Sequence, residues 1–480
     1  MRTGYLWPRW IFLRGLGLIF FSAFYSLAHE IHGLIGERGI LPATSYLSDV
    51  STQLGSVRFW YAPTLLWIGA GDHALTALIA AGLIASLLLT LNVWPRAAVI
   101  ACTVVFMSCV AALQDFSSYQ SDGMLLEAGF ISAFLAPGGV RPGLGAMTPP
   151  SRWSLFMLQW EWFRIYFESG VVKLASGDRH WRDLTAMDDY YQNGPLPTWL
   201  GWYVQHLPHW YHAGTVIITL GVELVLVWAL FLPRKFRIAC AAVVSALQVG
   251  IITTANYAFL NYLVLLLGVL LLDDDIFARA TLRVPDVAPP ARWRVWQYVE
   301  MGVLGFVFYA TIVAFFNEVS SSPLSLPARV LAPFRIANAY GLFATMTEQR
   351  YEIEFQGSND GTTWTPYPFR YKPQDIHERP GIYAPYQPRF EWNLWFASLG
   401  PWQQSPWVIS AQQRIVDGSP GVMRLFRSDP FHGTPPALTR TVLWQYWFTD
   451  ADTRHRTGAW WRREELGVFT GVVGSPHARP

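Results

Sequence analysis

The sequence predicts a polytopic α-helical membrane protein of about nine spans with a C-terminal extracytoplasmic α+β domain. Three observations carry this reading. The 480-residue chain is 52% hydrophobic and only 14% charged, too apolar for a soluble protein of this size. Apolar runs approaching the roughly 20 residues that cross a bilayer recur as far as residue 317. Beyond a Ser- and Pro-rich stretch at 318–335 the pattern changes to short alternating segments and amphipathic turns.

The expected spans lie near 10–29, 73–93, 97–114, 122–137, 153–173, 213–232, 237–255, 257–272 and 294–317. The fourth and eighth are short and the fifth is charged. The first has no small-residue cleavage site and ends in His29-Glu30-Ile31-His32, so it reads as a retained helix. Basic residues set the orientation. Arg2, Arg9, Arg14, Arg96, Arg141, Arg152, Arg234, Lys235, Arg237, Arg279, Arg283, Arg292 and Arg294 fall on one side of nine alternating spans. Arg38, Arg58, Lys173, Arg179 and Arg182 fall on the other. The N-terminus is therefore expected in the cytoplasm and everything after about residue 318 outside. The Arg-rich, Lys-poor composition suits a bacterium, whose inner membrane is the expected location. The formal charge of +2 gives no sign of a nucleic-acid partner.

The division is then a transmembrane body at 1–318, with an external loop at about 177–210, and an outer domain at 335–480. In the outer domain, residues 351–356 alternate as a half-buried strand and Asn359-Asp360-Gly361 marks a tight turn. Residues 363–371 are the expected return strand, 389–399 and 406–416 helices, and 439–448 a closing strand. The three cysteines, Cys102, Cys109 and Cys240, all fall in spans, which excludes a disulfide framework in the outer domain. Cys102 and Cys109, seven apart, share a helix face and read as small packing residues.

Chemistry concentrates at 153–183. Glu161, Arg164 and Glu168 share a helix side, with Arg164 one turn from each acid. Charges in hydrocarbon face a bundle interior or a wet cavity. Glu127, inside the fourth span with Asp122 nearer its surface, is the natural further partner for Arg164, and Gly129 is a notch for close helix packing. Two readings stay open. Arg164 locks its own helix to Glu127, or Glu127, Glu161, Arg164, Glu168 and Lys173 line a reactive cavity with Lys173 as base. The His29/His32 pair lacks metal-ligand spacing, and there is neither a phosphate-binding Gly loop nor a GxSxG elbow, so no metal or cofactor is predicted. The 177–210 loop holds two acid pairs, two prolines and many aromatics, enough for a structured cap or a contact surface.

Ordered matches place a resemblance on these residues: Gln159-Trp160, Arg164, Gly170, Lys173, Trp181-Arg182-Asp183-Leu184-Thr185, Tyr190, Pro195-Leu196-Pro197, Trp202-Tyr203 and His206-Leu207-Pro208. Residues 33–43 and 125–130 add to it. Downstream come Asn338-Ala339-Tyr340-Gly341-Leu342-Phe343, Pro388-Arg389-Phe390-Glu391-Trp392, Trp395-Phe396-Ala397 and Asp429-Pro430-Phe431. The chain resembles the lipase maturation factor family, as a bacterial-type member. That resemblance implies a membrane protein whose animal counterparts sit in the endoplasmic reticulum and assist folding of secreted dimeric lipases through a luminal C-terminal domain. It implies binding roles for Trp181, Arg182, Asp183, Tyr190, Trp202, Asn338, Tyr340, Arg389, Trp392, Trp395 and Asp429. The implied partners are the bilayer and an exported client such as a lipase. The outer domain lacks cysteine, so a thiol-exchange role would have no chemistry here. Trp392, Trp395, Phe396 and Trp460 are either client-contacting aromatics or domain core. A more distant similarity, to vitamin K-dependent carboxylase-related membrane proteins, is the alternative: an enzyme acting on a lipid or protein at the outer leaflet through the five charged residues.

Overall fold

The computed structural model describes residues 4–279, 282–285, 295–319 and 326–474. Arg2, Arg292 and Arg294, used above for orientation, lie outside the described residues, as does part of the 318–335 linker.

The membrane body is built from α1 (Leu6–Ile35), α2 (Asp72–Thr90), α3 (Pro95–Ala112), α4 (Gln120–Leu135) and α5 (Arg152–Ala175). The 177–210 segment follows as three short helices, α6 (Arg179–Arg182), α7 (Tyr190–Asn193) and α8 (Trp199–Gln205). Then come α9 (His209–Leu224), α10 (Arg234–Thr254), α11 (Leu260–Gly268) and α12 (Val295–Val319). Among the described residues six helices are long and apolar enough to cross a membrane: α1, α2, α3, α9 with its 3₁₀ extension to Phe231, α10 and α12. The other three expected spans also form helices. α4 is short, α5 carries the charges, and the third is a short apolar helix at Leu260–Leu271.

The charged helices can exist because neighbours cover them. α4 packs between α3 and α5, and residues 121–129 of α4 are all buried. At Gly129 a Cβ would collide with the Thr103 hydroxyl and press on the Phe20 ring, so only glycine lets α4 lie this close to α3 and α1. α5 turns an aromatic face to the membrane helices. Phe163 lies 4.9 Å from Trp228 and Trp160 lies 5.0 Å from Phe308, ring centre to ring centre. At the opposite end of the bundle from the outer domain, Asp274 accepts from Leu6 N–H and Trp7 N–H and so caps α1.

The outer domain holds a four-stranded antiparallel sheet among the described residues, in the order β2–β1–β3–β4. The strands are β1 (Arg350–Ser358), β2 (Thr365–Pro366), β3 (Leu438–Phe448) and β4 (Trp461–Gly474). Helices α13 (Arg389–Ala397) and α14 (Trp407–Val416) cover it, and Ile353, Phe355, Phe390, Val408, Ile415 and Phe426 fill the space between. The turn at 359–361 forms as its residues dictate. Gly361 takes φ +72°, and Asp360 accepts from the N–H groups of Thr362 and Thr363, which hold its carboxyl well below the usual range.

Two strand expectations need correction. The return strand at 363–371 shrinks to two residues, because Pro366 and Pro368 interrupt the ladder with β1. The segment expected to close the sheet, β3, is central, paired with β1 on one side and β4 on the other. The bulges between β3 and β4 and the run Arg462-Arg463-Glu464-Glu465 erase the period-2 pattern that would have announced β4.

Polar side chains bind the outer domain to the heads of the membrane helices. Arg389, at the start of α13, donates to Asp122 of α4 through Nη1 at 2.7 Å and Nη2 at 2.8 Å, with both side chains fully buried. Burial alone would lower the guanidinium pKa, but Asp122 outweighs it and the group is held as a cation. Glu30 of α1 accepts from Arg389 N–H at 2.8 Å. Arg350 of β1 donates to the carbonyls of Gln192, Gly194 and Pro195 in the 177–210 segment. Removing one member of a buried, bidentate pair leaves the other charge uncompensated. Arg389→Ala is therefore expected to cost about 3–5 kcal/mol and to expose the outer domain to protease. Thermal unfolding and limited proteolysis of the purified protein check this, and a variant as stable and resistant as the parent would refute it.

Candidate functional site

The charged residues of α5 meet the outer domain at residues 338–340. Arg164 donates through Nη2 to Glu127 Oε1, and through Nη1 to the Asn338 carbonyl at 2.6 Å. Glu168 stands 3.9 Å from the guanidinium. The second oxygen of Glu127 accepts from the Tyr340 hydroxyl at 2.9 Å, Asn338 Nδ2 at 3.0 Å and Asn338 N–H at 3.2 Å. Glu168 accepts from Tyr340 N–H at 2.8 Å. The Tyr340 ring lies 5.1 Å from the Arg164 guanidinium carbon, and burial beside Glu127 and Glu161 raises its phenol far above the ordinary range, so it stays a donor. Both acids and the arginine inside the bundle thus share hydrogen bonds with a segment 172 to 213 residues further along the chain.

Glu161 lies beside this cluster without a hydrogen bond to it, and Lys173 stands apart from it. The Glu161 carboxylate is fully buried, and neither oxygen has a hydrogen-bond partner among the described residues, although Arg164 is one turn away. Lys173 points to Glu223 of α9, with Nζ at 2.7 and 2.9 Å from its two oxygens and 5.0 Å from the Trp181 ring centre. Glu223 escaped the sequence reading. The signal was there, an acid in the apolar run at 213–232, but nothing in the spacing named Lys173 as its partner.

The five charged residues therefore do not converge on one cavity. A cavity of about 430 Å³ opens beside the joint between α4, α7, α11 and α13, and none of Glu127, Glu161, Arg164, Glu168 or Lys173 lines it. Among the described residues no group of three His, Cys, Asp or Glu could hold a metal ion. The residues at 29–32 serve packing instead: Glu30 belongs to the joint and His32 lies 3.4 Å from Asp72.

The 177–210 segment is a structured cap. Trp181 is buried and donates from Nε1 to the Phe343 carbonyl at 3.0 Å. Asp178 accepts from His180 N–H and Met346 N–H. Partial burial would raise its pKa, but these donors outweigh burial and hold the carboxyl below the usual range. Tyr190 lines the cavity. Trp202 packs 5.6 Å from Trp460, with the Arg454 guanidinium stacked at 3.4 Å over Trp460 and 5.1 Å from Trp202. Arg182 and Asp183 are exposed: Arg182 donates to the Leu174 carbonyl at 2.8 Å and Asp183 lies 3.6 Å from Arg179. Asp429 sits apart from the joint and caps a turn, accepting from Phe431 and Gly433 N–H. Trp392, Trp395 and Trp460 are buried, so they supply core rather than open contact area, and only Phe396, at 47%, is exposed.

Family models match the chain on both sides of this joint. The model described as the lipase maturation factor transmembrane domain matches residues 7–279, and that of the lipase maturation factor C-terminal domain matches 336–471. The chain belongs to the lipase maturation factor family. Lipase maturation factor 1 of Bos taurus is 31% identical over 98% of this chain and 89% of its own length. Lipase maturation factor 1 of Mus musculus is 30% identical, covering 98% and 88%, and lipase maturation factor 2 of Homo sapiens is 29% identical, covering 96% and 82%. No solved structure matches the chain. As a member of this family with six membrane-length helices, it is an integral membrane protein. Glu127, Arg164 and Glu168 come from the family's transmembrane domain and Asn338 and Tyr340 from its C-terminal domain, so the cluster joins the two.

The accounting of partners separates the two nearby acids. Glu127→Gln removes the counter-charge of a buried arginine and is expected to destabilise by about 3 kcal/mol. Glu161→Gln removes an acid with no bonded partner and is expected to cost less than about 1 kcal/mol. Unfolding temperatures of the two variants in one detergent provide the comparison, and equal losses would contradict the assignment.

Proposed function

We propose that this protein is a membrane-anchored maturation factor for exported polypeptides, lipases foremost, whose C-terminal domain meets its client on the extracytoplasmic side. The observation that carries the reading is the match to lipase maturation factors across both domains together with the joint that fixes one domain on the other. The asymmetry of Arg and Lys across the spans supports a cytoplasmic N-terminus and an outer C-terminal domain, in a bacterial inner membrane. A non-enzymatic role suits the site, because Arg164, Glu168, Glu127 and Lys173 are each held by a buried partner, which leaves Lys173 without the freedom of a base. Client contact then falls to surfaces that remain open. Candidates are Phe396 and Leu399 beside the cavity, and Leu466, Val468 and Val472 along β4, which are exposed apolar groups on the outer domain.

Deleting the gene and measuring both the amount and the specific activity of secreted lipases tests the proposal. Lipase protein that is made but inactive or not exported, restored by the intact gene, is the expected result. Unchanged export and activity would exclude lipases as clients.

A further inference from the structure

Between α1 and α2 lies a segment that has no part in the joint or in the reading above. A helix at Ala43–Leu54 buries Ala43, Leu47 and Val50 and ends at Gly55, whose φ is +54°. A single helical turn at Arg58–Tyr61 and a 3₁₀ turn at Leu65–Trp67 follow. Ala62 and Leu66 face the core, and the half-buried Trp67 donates from Nε1 to the Ala62 carbonyl at 2.9 Å. The other side is bare. Val57, Phe59, Trp60, Tyr61, Leu65 and Ile68 are 44% to 91% exposed.

Three observations say what covers this surface. First, it lies at membrane level. Thr64 donates from its hydroxyl to the Ser108 carbonyl at 2.9 Å, and Leu65 N–H donates to the Ser108 hydroxyl at 3.1 Å. Ser108 precedes the end of α3 at Ala112 by four residues, about 6 Å at 1.5 Å per residue. This is the end nearest the outer domain, because Arg389 donates to the Phe116 carbonyl just beyond it. Ile68 then leads into α2, which begins at Asp72. Both α2 and α3 are membrane-length, so the segment drops beside them into the zone where acyl chains meet headgroups. Second, its charge fits that zone. No Asp or Glu occurs between Asp49 and Asp72, and Arg58 is the one charge in that interval. Its guanidinium donates to the Ser51 hydroxyl and stands 4.7 Å from the Phe59 ring centre and 5.1 Å from that of Trp67, and among the described residues no acid pairs with it. Lipid phosphates supply the missing counter-charge, whereas a second copy of this surface would bring another Arg58 into an apolar contact. Third, the exposed side chains are of two kinds. Trp60 and Tyr61 carry the amphipathic rings that settle at headgroup level, and Val57, Phe59, Leu65 and Ile68 are the apolar groups that enter the acyl boundary.

We propose that residues 57–68 form a seat in the bilayer: their exposed side chains insert into the leaflet nearest the outer domain, with Arg58 at the level of the lipid phosphates. The seat also touches the linker. The Trp60 ring centre stands 4.7 Å from that of Phe334, in the 3₁₀ turn at Ala332–Phe334 between α12 and β1. A lipid contact at 57–68 therefore reaches, through Trp60, the chain that leads into the outer domain.

Nitroxides at Phe59→Cys and at Ile68→Cys, in the full chain in phosphatidylcholine nanodiscs, report their surroundings through power saturation by oxygen and by nickel–EDDA. Oxygen concentrates among acyl chains and the nickel complex stays in water. Ile217→Cys, exposed on the membrane-length α9, is the lipid reference, and Thr362→Cys, exposed beside the 359–361 turn, is the water reference. The native Cys102, Cys109 and Cys240 are buried. Both seat labels are expected to give an oxygen-to-nickel collision ratio above one, as at Ile217→Cys, with the ratio reversed at Thr362→Cys. A ratio of one or less at either seat label would overturn the proposal, since the surface would then face water. So would low collision rates with both reagents, the mark of a surface covered by a second copy or another polypeptide. Val57→Cys and Leu65→Cys, also exposed, replace either variant if it fails to fold. None of these readouts needs a client lipase, so they stand or fall apart from the proposed maturation role.

Discussion

A charged residue inside a membrane bundle must be neutralised there, and this protein neutralises Arg164 with help from another domain. Glu127 alone would balance its charge, yet a carboxylate in low dielectric also needs its remaining lone pairs filled. Asn338 and Tyr340 fill them, and in doing so bring the start of the C-terminal domain to the head of α5. The cost of burying ions thus becomes the force that positions a domain. The same logic recurs at Arg389 and Asp122, where the roles are exchanged: here the outer domain supplies the cation and the membrane body the acid.

Contacts from the outer domain explain why the 177–210 segment is ordered despite its turns and prolines: Arg350 holds its backbone carbonyls, and Trp202 packs in the stack with Trp460 and Arg454. Exposed apolar side chains of the outer domain include Phe396 and Leu399 beside the cavity and Leu466, Val468 and Val472 along β4.

Local physics made much of this legible beforehand. Helices appeared where apolar length required them, and the turn at 359–361 followed from Asn-Asp-Gly. The pairing of Arg164 with Glu127 was one of two readings the spacing allowed, and it is the one the contacts show. What stayed hidden was non-local. No pattern near 164 points to Asn338 or Tyr340, and the expected reach from Arg164 to Glu161 is not used, because the guanidinium turns to Glu127 and the Asn338 carbonyl instead. Lys173 went unmatched because Glu223 is fifty residues away. β4 was concealed by four consecutive charges and by bulges that break its alternation, whereas the return strand at 363–371 was favoured by its aromatics against two prolines that forbid it.

The buried ion pairs hold the C-terminal domain in one position on the membrane body. Pulsed electron–electron resonance between spin labels at Trp210→Cys and Val472→Cys, both exposed positions, measures that position directly, since Cys102, Cys109 and Cys240 are buried and free. A single narrow distance distribution is predicted, broadening when Arg389→Ala is added. A broad distribution in the parent, or a narrow one that survives loss of Arg389, would contradict the account.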